Sequence, residues 1–261
     1  MINLPELPAL ICCQEGEVFT ITLNRPEKLN AFNEDMLDDL EKVIEIISKL
    51  PDIRVVIITG AGNAFSSGGD INEMLKYHRQ AKKQDFERHL KRAQSIFDSF
   101  AAIPQPTIAA VNGHAIGAGF QITLACDFRI LARDAALGVK DVKIGIIPAL
   151  GATTRLSELV GLSKAKELVL TGDVIDSKQA LSMGLANFIV DKNNLKSATL
   201  KFAKKLLSNA PLAVSAAKNL LNANAPLAQV AKAQINLFKT DDAGEGIASF
   251  IEKRVPSFKG V

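Results

Sequence analysis

The sequence predicts an α/β fold, on three observations. Short runs of β-branched and apolar residues alternate with stretches whose apolar residues recur every three or four positions. The short runs are almost continuously apolar, as in a parallel sheet covered on both faces. After residue 195 only the helical period remains. Two regions are therefore expected, an α/β core over 1–195 and a helical cover over 196–261.

Residues 18–23 (VFTITL) read as a strand, and Asn24 to Asn30 as a loop. Asn33 is placed to cap a helix whose stripe is Met36, Leu37, Leu40, Val43, Ile44 and Ile47. A short apolar strand follows at 55–59, then a glycine turn at 60–63. The polar section from 71 to 87 reads as helix or surface loop. Phe86, Leu90, Ala93, Phe97 and Phe100 mark a helix that Pro104 and Pro106 stop. Strands are expected at 107–111 and 127–132, with an apolar, buried helix at 119–126 between them. Strand alternating with helix, taken alone, suggests a doubly wound sheet with right-handed crossovers. Residues 136–148 are strand material broken by glycines. Short helices are expected at 154–160, 164–170 and 177–183, and a last strand at 188–190. Four helices close the chain at 195–207, 212–222, 227–238 and 241–253, and their stripes need their own domain or a neighbouring subunit to cover them.

With 261 residues, 48% of them hydrophobic, the chain has material for one large domain. A net charge of +3, with basic residues interspersed among acidic ones, argues against a nucleic-acid partner. So does the lack of Trp and the single Tyr77, which leave no stacking platform. The three cysteines, Cys12, Cys13 and Cys126, have neither CxxC spacing nor the density of a secreted scaffold. Residues 1–8 lack the basic and apolar regions of a signal peptide, and no apolar run approaches the ~20 residues of a membrane span. A cytoplasmic protein with no membrane partner is expected. His78 and His89 are expected in solvent, and His114 as a structural residue; none completes a metal cluster or a triad.

Two glycine segments carry the chemistry. One is Phe65-Ser66-Ser67-Gly68-Gly69-Asp70-Ile71. The other runs from Pro106 to Gln121 and contains His114-Ala115-Ile116-Gly117-Ala118-Gly119. A strand, a glycine turn and a helix start aim backbone N–H groups outward. Two such segments can place two donors on one carbonyl oxygen and stabilise charge that develops there. Neither the phosphate-loop pattern nor the dinucleotide fingerprint is present.

These residues resemble the crotonase, or enoyl-CoA hydratase/isomerase, family. The likeness extends through Leu23-Asn24-Arg25-Pro26-Glu27-Lys28-Leu29-Asn30-Ala31, residues 55–60, both glycine segments, Ala125-Cys126-Asp127 and Glu245 to Arg254. It implies a spiral of β-β-α units rather than a doubly wound sheet, with a C-terminal helical region that mediates trimers or hexamers. It also implies an acyl-CoA thioester as substrate, and no cofactor beyond that coenzyme A moiety. The oxyanion donors would be the N–H groups of Ser67 and Ala118. Lys28, Leu29 and Ala31 would lie near the nucleotide, with Gly68, Asp70, Ile71 and Gly117 along the ligand. Phe250 and Lys253 would come from the last helix, often a neighbour's.

Members that hydrate a double bond use two carboxylates. Here the first position is Gln121, which cannot take a proton, and the second is Asp141. One carboxylate suits a shift of the double bond between β,γ and α,β positions, which is the leading expectation. Hydration through Asp141 with Gln121 assisting is the alternative, and a non-catalytic acyl-CoA binder the third reading.

Overall fold

The computed structural model describes residues 4–79 and 83–261. Nine strands are present among these residues: β1 (Leu10–Glu15), β2 (Val18–Leu23), β3 (Val55–Gly60), β4 (Thr107–Val111), β5 (Ala115–Ile116), β6 (Phe128–Ala132), β7 (Ala136–Gly138), β8 (Val174–Asp176) and β9 (Phe188–Val190). Six of them form one sheet in the order β1-β2-β3-β4-β6-β9. β1 and β2 are antiparallel, with Leu10 opposite Leu23, and the remaining pairs are parallel. The other three form a second, smaller sheet, β5 parallel to β7 and β7 antiparallel to β8. Isolated parallel bridges, Phe32 with Gly69 and Ser66 with Ala115, extend this second layer. Successive turns of the chain lay a strand in the large sheet, a short strand or bridge in the second layer, and then a helix. This is the β-β-α spiral. The doubly wound sheet suggested by alternation alone is corrected by these short second strands, which are too brief to register as an apolar run.

The helices are α1 (Glu34–Ile47), α2 (Ile71–Arg79), α3 (Lys83–Ala102), α4 (Ala118–Leu124), α5 (Arg155–Thr171), α6 (Ser177–Ser182), α7 (Leu195–Leu207), α8 (Pro211–Asn222), α9 (Leu227–Leu237) and α10 (Asp241–Glu252). Asn33 caps α1 as expected, its side chain accepting from the Met36 N–H at 3.1 Å. The stripe of α1 and the Ala93, Phe97, Phe100 face of α3 are buried, and the two helices pack on each other. All seven residues of α4 are buried. The two short helices expected at 154–160 and 164–170 are present, meeting end to end within α5 at Gly161, whose φ of 76° breaks the helix between them.

The C-terminal helices divide by what they touch. α7 packs on β3, β4 and β6. Its Phe202 ring meets Phe128 and Phe188 at 4.9 and 5.3 Å between centroids. α8 is pinned by buried Lys218, whose ammonium reaches Gln105 O at 2.8 Å and Asp127 Oδ2 at 2.9 Å. Beyond these anchors Leu221, Leu227, Phe238 and Phe250 stand exposed. No helix among the described residues is long and apolar enough to cross a membrane.

Candidate active site

Two asparagines position the first glycine segment. Asn30 Nδ2 donates to the Ala61 and Ala64 carbonyls, both at 2.9 Å. Asn112 Nδ2 donates to Gly60 O at 2.9 Å and Gly62 O at 3.1 Å, while its Oδ1 accepts from Gly60 N. The turn at 60–64 is thereby held, and the chain leaving it is stitched to the second segment. Phe65 N and Ser66 N both donate to His114 O at 3.0 Å, and Ile116 N donates to Ser66 O at 2.9 Å. Gly119 permits this approach, since a Cβ there would lie 2.5 Å from Ser66 O.

The disposition of backbone donors decides which can serve a ligand. Ser67 N–H is already given to Leu29 O at 2.9 Å. It is therefore not the free donor expected from the sequence, and Ser67 is corrected on that point. Gly68 N–H goes to Ser66 Oγ. In the parallel bridge to Phe32, Phe32 N donates to Gly68 O and Asp70 N to Phe32 O, both at 2.8 Å. That pairing turns the intervening Gly69 N–H away from the bridge. Among the described residues it has no acceptor. On the second segment Gly117 N–H goes to Gly138 O at 2.9 Å. Ala118 follows as the first residue of α4, and its N–H has no acceptor among the described residues either. The two free donors belong to adjoining strips of chain. A Cβ on Gly68 would sit 3.6 Å from the Ala118 nitrogen.

A cavity of about 610 Å³ opens at this junction. Ser67, Gly68, Gly69, Asp70, Ile71, Gly117, Ala118, Gln121 and Asp141 all line it, so the structure brings most of the expected residues together. Phe32, Leu90 and Phe97 supply apolar wall. Asp141 opens a short 3₁₀ turn, Asp141–Ile144. Its Oδ2 is buried without a hydrogen-bond partner and would lie 3.8 Å from a Cβ on Gly117. Burial pushes its carboxyl above the usual range. The flanking lysine does not pair with it: Lys143 reaches Asp173 instead, at 3.2 Å.

Gln121 is buried, and its Oε1 accepts from Leu150 N at 2.7 Å and Ala152 N at 3.2 Å. Only the oxygen of an amide can accept from two N–H groups, so this fixes its orientation and leaves Nε2, a donor, for the cavity. Asp70 braces its turn, accepting from Asn72 N, and pairs with Arg25 at 3.2 Å. Lys28, Leu29 and Ala31 do not line the cavity; Lys28 and Leu29 border it through Leu29 O on Ser67 N and Lys28 O on Ser67 Oγ, while Ala31 O accepts from Arg25. Phe250 and Lys253 line no part of the cavity within one chain. Phe250 is 86% exposed.

Three hydrogen-bonding residues of the cavity wall are not among the site residues expected from the sequence. His89, expected in solvent, lies in the wall with Tyr77 and Glu73. Its Nδ1 meets Glu34 Oε1 at 2.5 Å, and Tyr77 OH donates to the same oxygen at 2.6 Å. Burial alone would raise the Glu34 carboxyl. The hydrogen bonds from Tyr77 and His89 and the charges of His89 and Arg92 outweigh it, and the net shift is down. Burial, and then Glu34, push the Tyr77 hydroxyl up to about 12. A signal for His89 existed: it stands three residues after Phe86 and one before Leu90, on the apolar stripe of α3. No group of three or more His, Cys, Asp or Glu able to hold a metal occurs among the described residues.

The family model described as Enoyl-CoA hydratase/isomerase matches residues 14–261. A short-chain-enoyl-CoA hydratase of Clostridium acetobutylicum is 37% identical, over 97% of this chain and 99% of its own. A 2,3-dehydroadipyl-CoA hydratase of Escherichia coli is 35% identical, over 96% and 98%. Among solved structures, an enoyl-CoA hydratase from Bacillus anthracis superposes with a TM-score of 0.91 at 34% identity, covering 97% of this chain and all of that one. DspI of Pseudomonas aeruginosa superposes at 0.93 with 30% identity, covering 98% and 99%. Spiral fold and full-length similarity agree, and the chain belongs to the crotonase, or enoyl-CoA hydratase/isomerase, family.

Proposed function

We propose that this protein is an acyl-CoA enzyme that adds water reversibly across the α,β double bond of an enoyl thioester. One observation carries the reading. The cavity holds a buried carboxylate oxygen with no partner, Asp141 Oδ2, in the same wall as the unspent N–H groups of Gly69 and Ala118. The thioester oxygen accepts from both N–H groups. As water attacks the β-carbon, the charge that builds on that oxygen is met by fixed donors, each worth ~10²–10³ in rate. Asp141, made more basic by its desolvation, takes the proton of the attacking water and returns one to the α-carbon. Gln121 Nε2 donates to the water oxygen and orients it without taking its proton.

The names of the relatives favour hydration over the double-bond shift that Gln121 first suggested: two near-full-length relatives at 37% and 35% identity are hydratases. The second reading keeps one specific support. Gln121 is no acid, and among the described residues Asp141 Oδ2 is the buried carboxylate oxygen of the cavity left without a partner; a shift needs a single base. The exposed apolar residues of α8 to α10 suit an assembly of copies, a trimer or hexamer, in which Lys253 serves a neighbour's nucleotide. The test supplies a 2-enoyl-CoA and a 3-enoyl-CoA of equal length. Hydration lowers the conjugated absorbance of the first and adds the mass of one water. A shift raises absorbance from the second at constant mass. Turnover of the 3-enoyl substrate alone would overturn the hydration reading, and turnover of neither the enzymatic one.

A further inference from the structure

The loop from Asn24 to Ala31 supplies none of the residues of the cavity wall, yet it grips the first glycine segment. Ser66 Oγ donates to Asn30 O at 2.7 Å, and Ser67 N to Leu29 O at 2.9 Å. Phe32, the next residue on, donates to Gly68 O and accepts from Asp70 N, both at 2.8 Å. Ser66 N goes to His114 O and Gly68 N to Ser66 Oγ. Of the N–H groups from Ser66 to Asp70, that of Gly69 alone is left without an acceptor among the described residues. The loop takes an unfavourable shape to do this. Leu29 and Asn30 stand in succession at φ 49° and 55°. Asn tolerates the left-handed region, but Leu adopts it only where its surroundings force it.

Arg25 closes that shape. Its backbone pairs with Asn30 in both directions, Arg25 N donating to Asn30 Oδ1 at 2.9 Å and Asn30 N to Arg25 O at 2.8 Å. Its guanidinium then reaches forward. Nη1 donates to Ala31 O at 2.6 Å and Nη2 to Asp70 Oδ2 at 3.2 Å. One planar fork thus joins the residue before Phe32 to the residue after Gly69. The two side chains of this ion pair are only 18% and 12% exposed, so solvent ions screen it little. Its charge matters as well as its reach. Asp70 lines the cavity one residue from the Gly69 N–H. A carboxylate left without a cation there would oppose negative charge developing on a thioester oxygen, and Arg25 offsets it.

We propose that Arg25 is a positioning residue for the reaction. It lines no part of the cavity. It acts by clamping the bridge between Phe32 and Gly69, so that the Gly69 N–H stays aimed at the thioester oxygen, and by neutralising Asp70 beside it. This role rests on the acyl-CoA reading above, and the test separates the two.

The readout is the carbonyl stretch of butanoyl-CoA, isotopically labelled at its thioester carbon, by infrared difference spectroscopy on saturated protein. Hydrogen bonds to the carbonyl lower that frequency, and only folded, occupied protein contributes. Wild type is expected to lower it. Arg25→Met loses both contacts and the charge, and is expected to lose part of that downshift. Its kcat on a 2-enoyl-CoA should fall ~10²-fold, the cost of losing one oxyanion donor, with KM within about twofold of wild type. Arg25→Lys keeps the charge without the fork and should fall between the two. Asp70→Asn added to Arg25→Met removes the stranded charge and should restore part of kcat. Asp141→Asn leaves both donors in place and should keep the full downshift. Should Arg25→Met fail to fold, Arg25→Lys is scored by the same criteria. A full wild-type downshift in the Arg25 variant, a kcat within about twofold of wild type, or a loss confined to KM overturns this inference alone. No downshift in wild type overturns the oxyanion reading above and this inference with it.

Discussion

Replacing Asp141 by Asn separates what the carboxylate does for chemistry from what it costs the fold. The amide keeps shape and volume but cannot take a proton. A positioned acid–base group contributes ~10²–10⁴ in rate, or about 3–5 kcal/mol of barrier. The upper end is expected here, because Gln121 has its oxygen committed and cannot substitute. Stability should move the other way. Burial raises the Asp141 carboxyl, so the folded protein resists its ionisation and loses stability as pH climbs from the ordinary carboxylate range through the raised value. Asn removes that penalty. A gain of ~0.5–2 kcal/mol is of the size found when an unfavourable active-site group is removed, and corresponds to a melting point higher by a few degrees. The gain should be present near neutral pH and vanish in acid, where the wild-type carboxyl is protonated. Activity of the wild type should rise with pH through the same raised value. Steady-state rates and thermal melts between acid and neutral pH measure both. A variant with kcat/KM within twofold of wild type, or with a lower melting point at neutral pH, would refute the reasoning.

Gln121→Glu retains an oxygen for the Leu150 and Ala152 N–H groups; the fold should hold and hydration of a 2-enoyl-CoA should increase, as a coupled absorbance assay would report. Gly119→Ala drives a methyl to 2.5 Å from Ser66 O; it should cost ~1–3 kcal/mol by overpacking and lower kcat more than it raises KM, since it parts the two donor strips. Lys218→Met leaves the Asp127 carboxylate its two Thr107 hydrogen bonds but no cation, and strands Gln105 O; a loss of ~3 kcal/mol is expected from denaturant unfolding, with kcat per folded molecule unchanged.

Much of the fold was legible because the large sheet is made of apolar runs. β2, β4 and β9 fall on the residues read as strands, and Asn33 caps α1 as its residue type suggests. β1 was not read as a strand. It is an edge strand whose alternate residues face solvent, and its adjacent cysteines and polar end hide the period. The second layer was also illegible, because two- and three-residue strands exist only through partners distant in sequence. That layer decides the site. Which N–H of the first glycine segment turns outward is set by Phe32, more than thirty residues upstream, so the N–H left free is that of Gly69 and not of Ser67. Gln121 and Asp141 both line the cavity, but their hydrogen-bond states depend on the loop at 149–152 and on the burial of Oδ2. His89 was readable from its stripe, yet its partner Glu34 lies at the start of another helix. Phe250 and Lys253 could not have been placed from one chain.

The most direct measurement is a crystal structure with a saturated acyl-CoA bound. The thioester oxygen should lie ~2.7–3.1 Å from both the Gly69 and Ala118 nitrogens, with Asp141 Oδ2 facing the α- and β-carbons. A thioester oxygen bonded elsewhere, or an acyl chain leaving Asp141 on the far side of protein, would contradict the account.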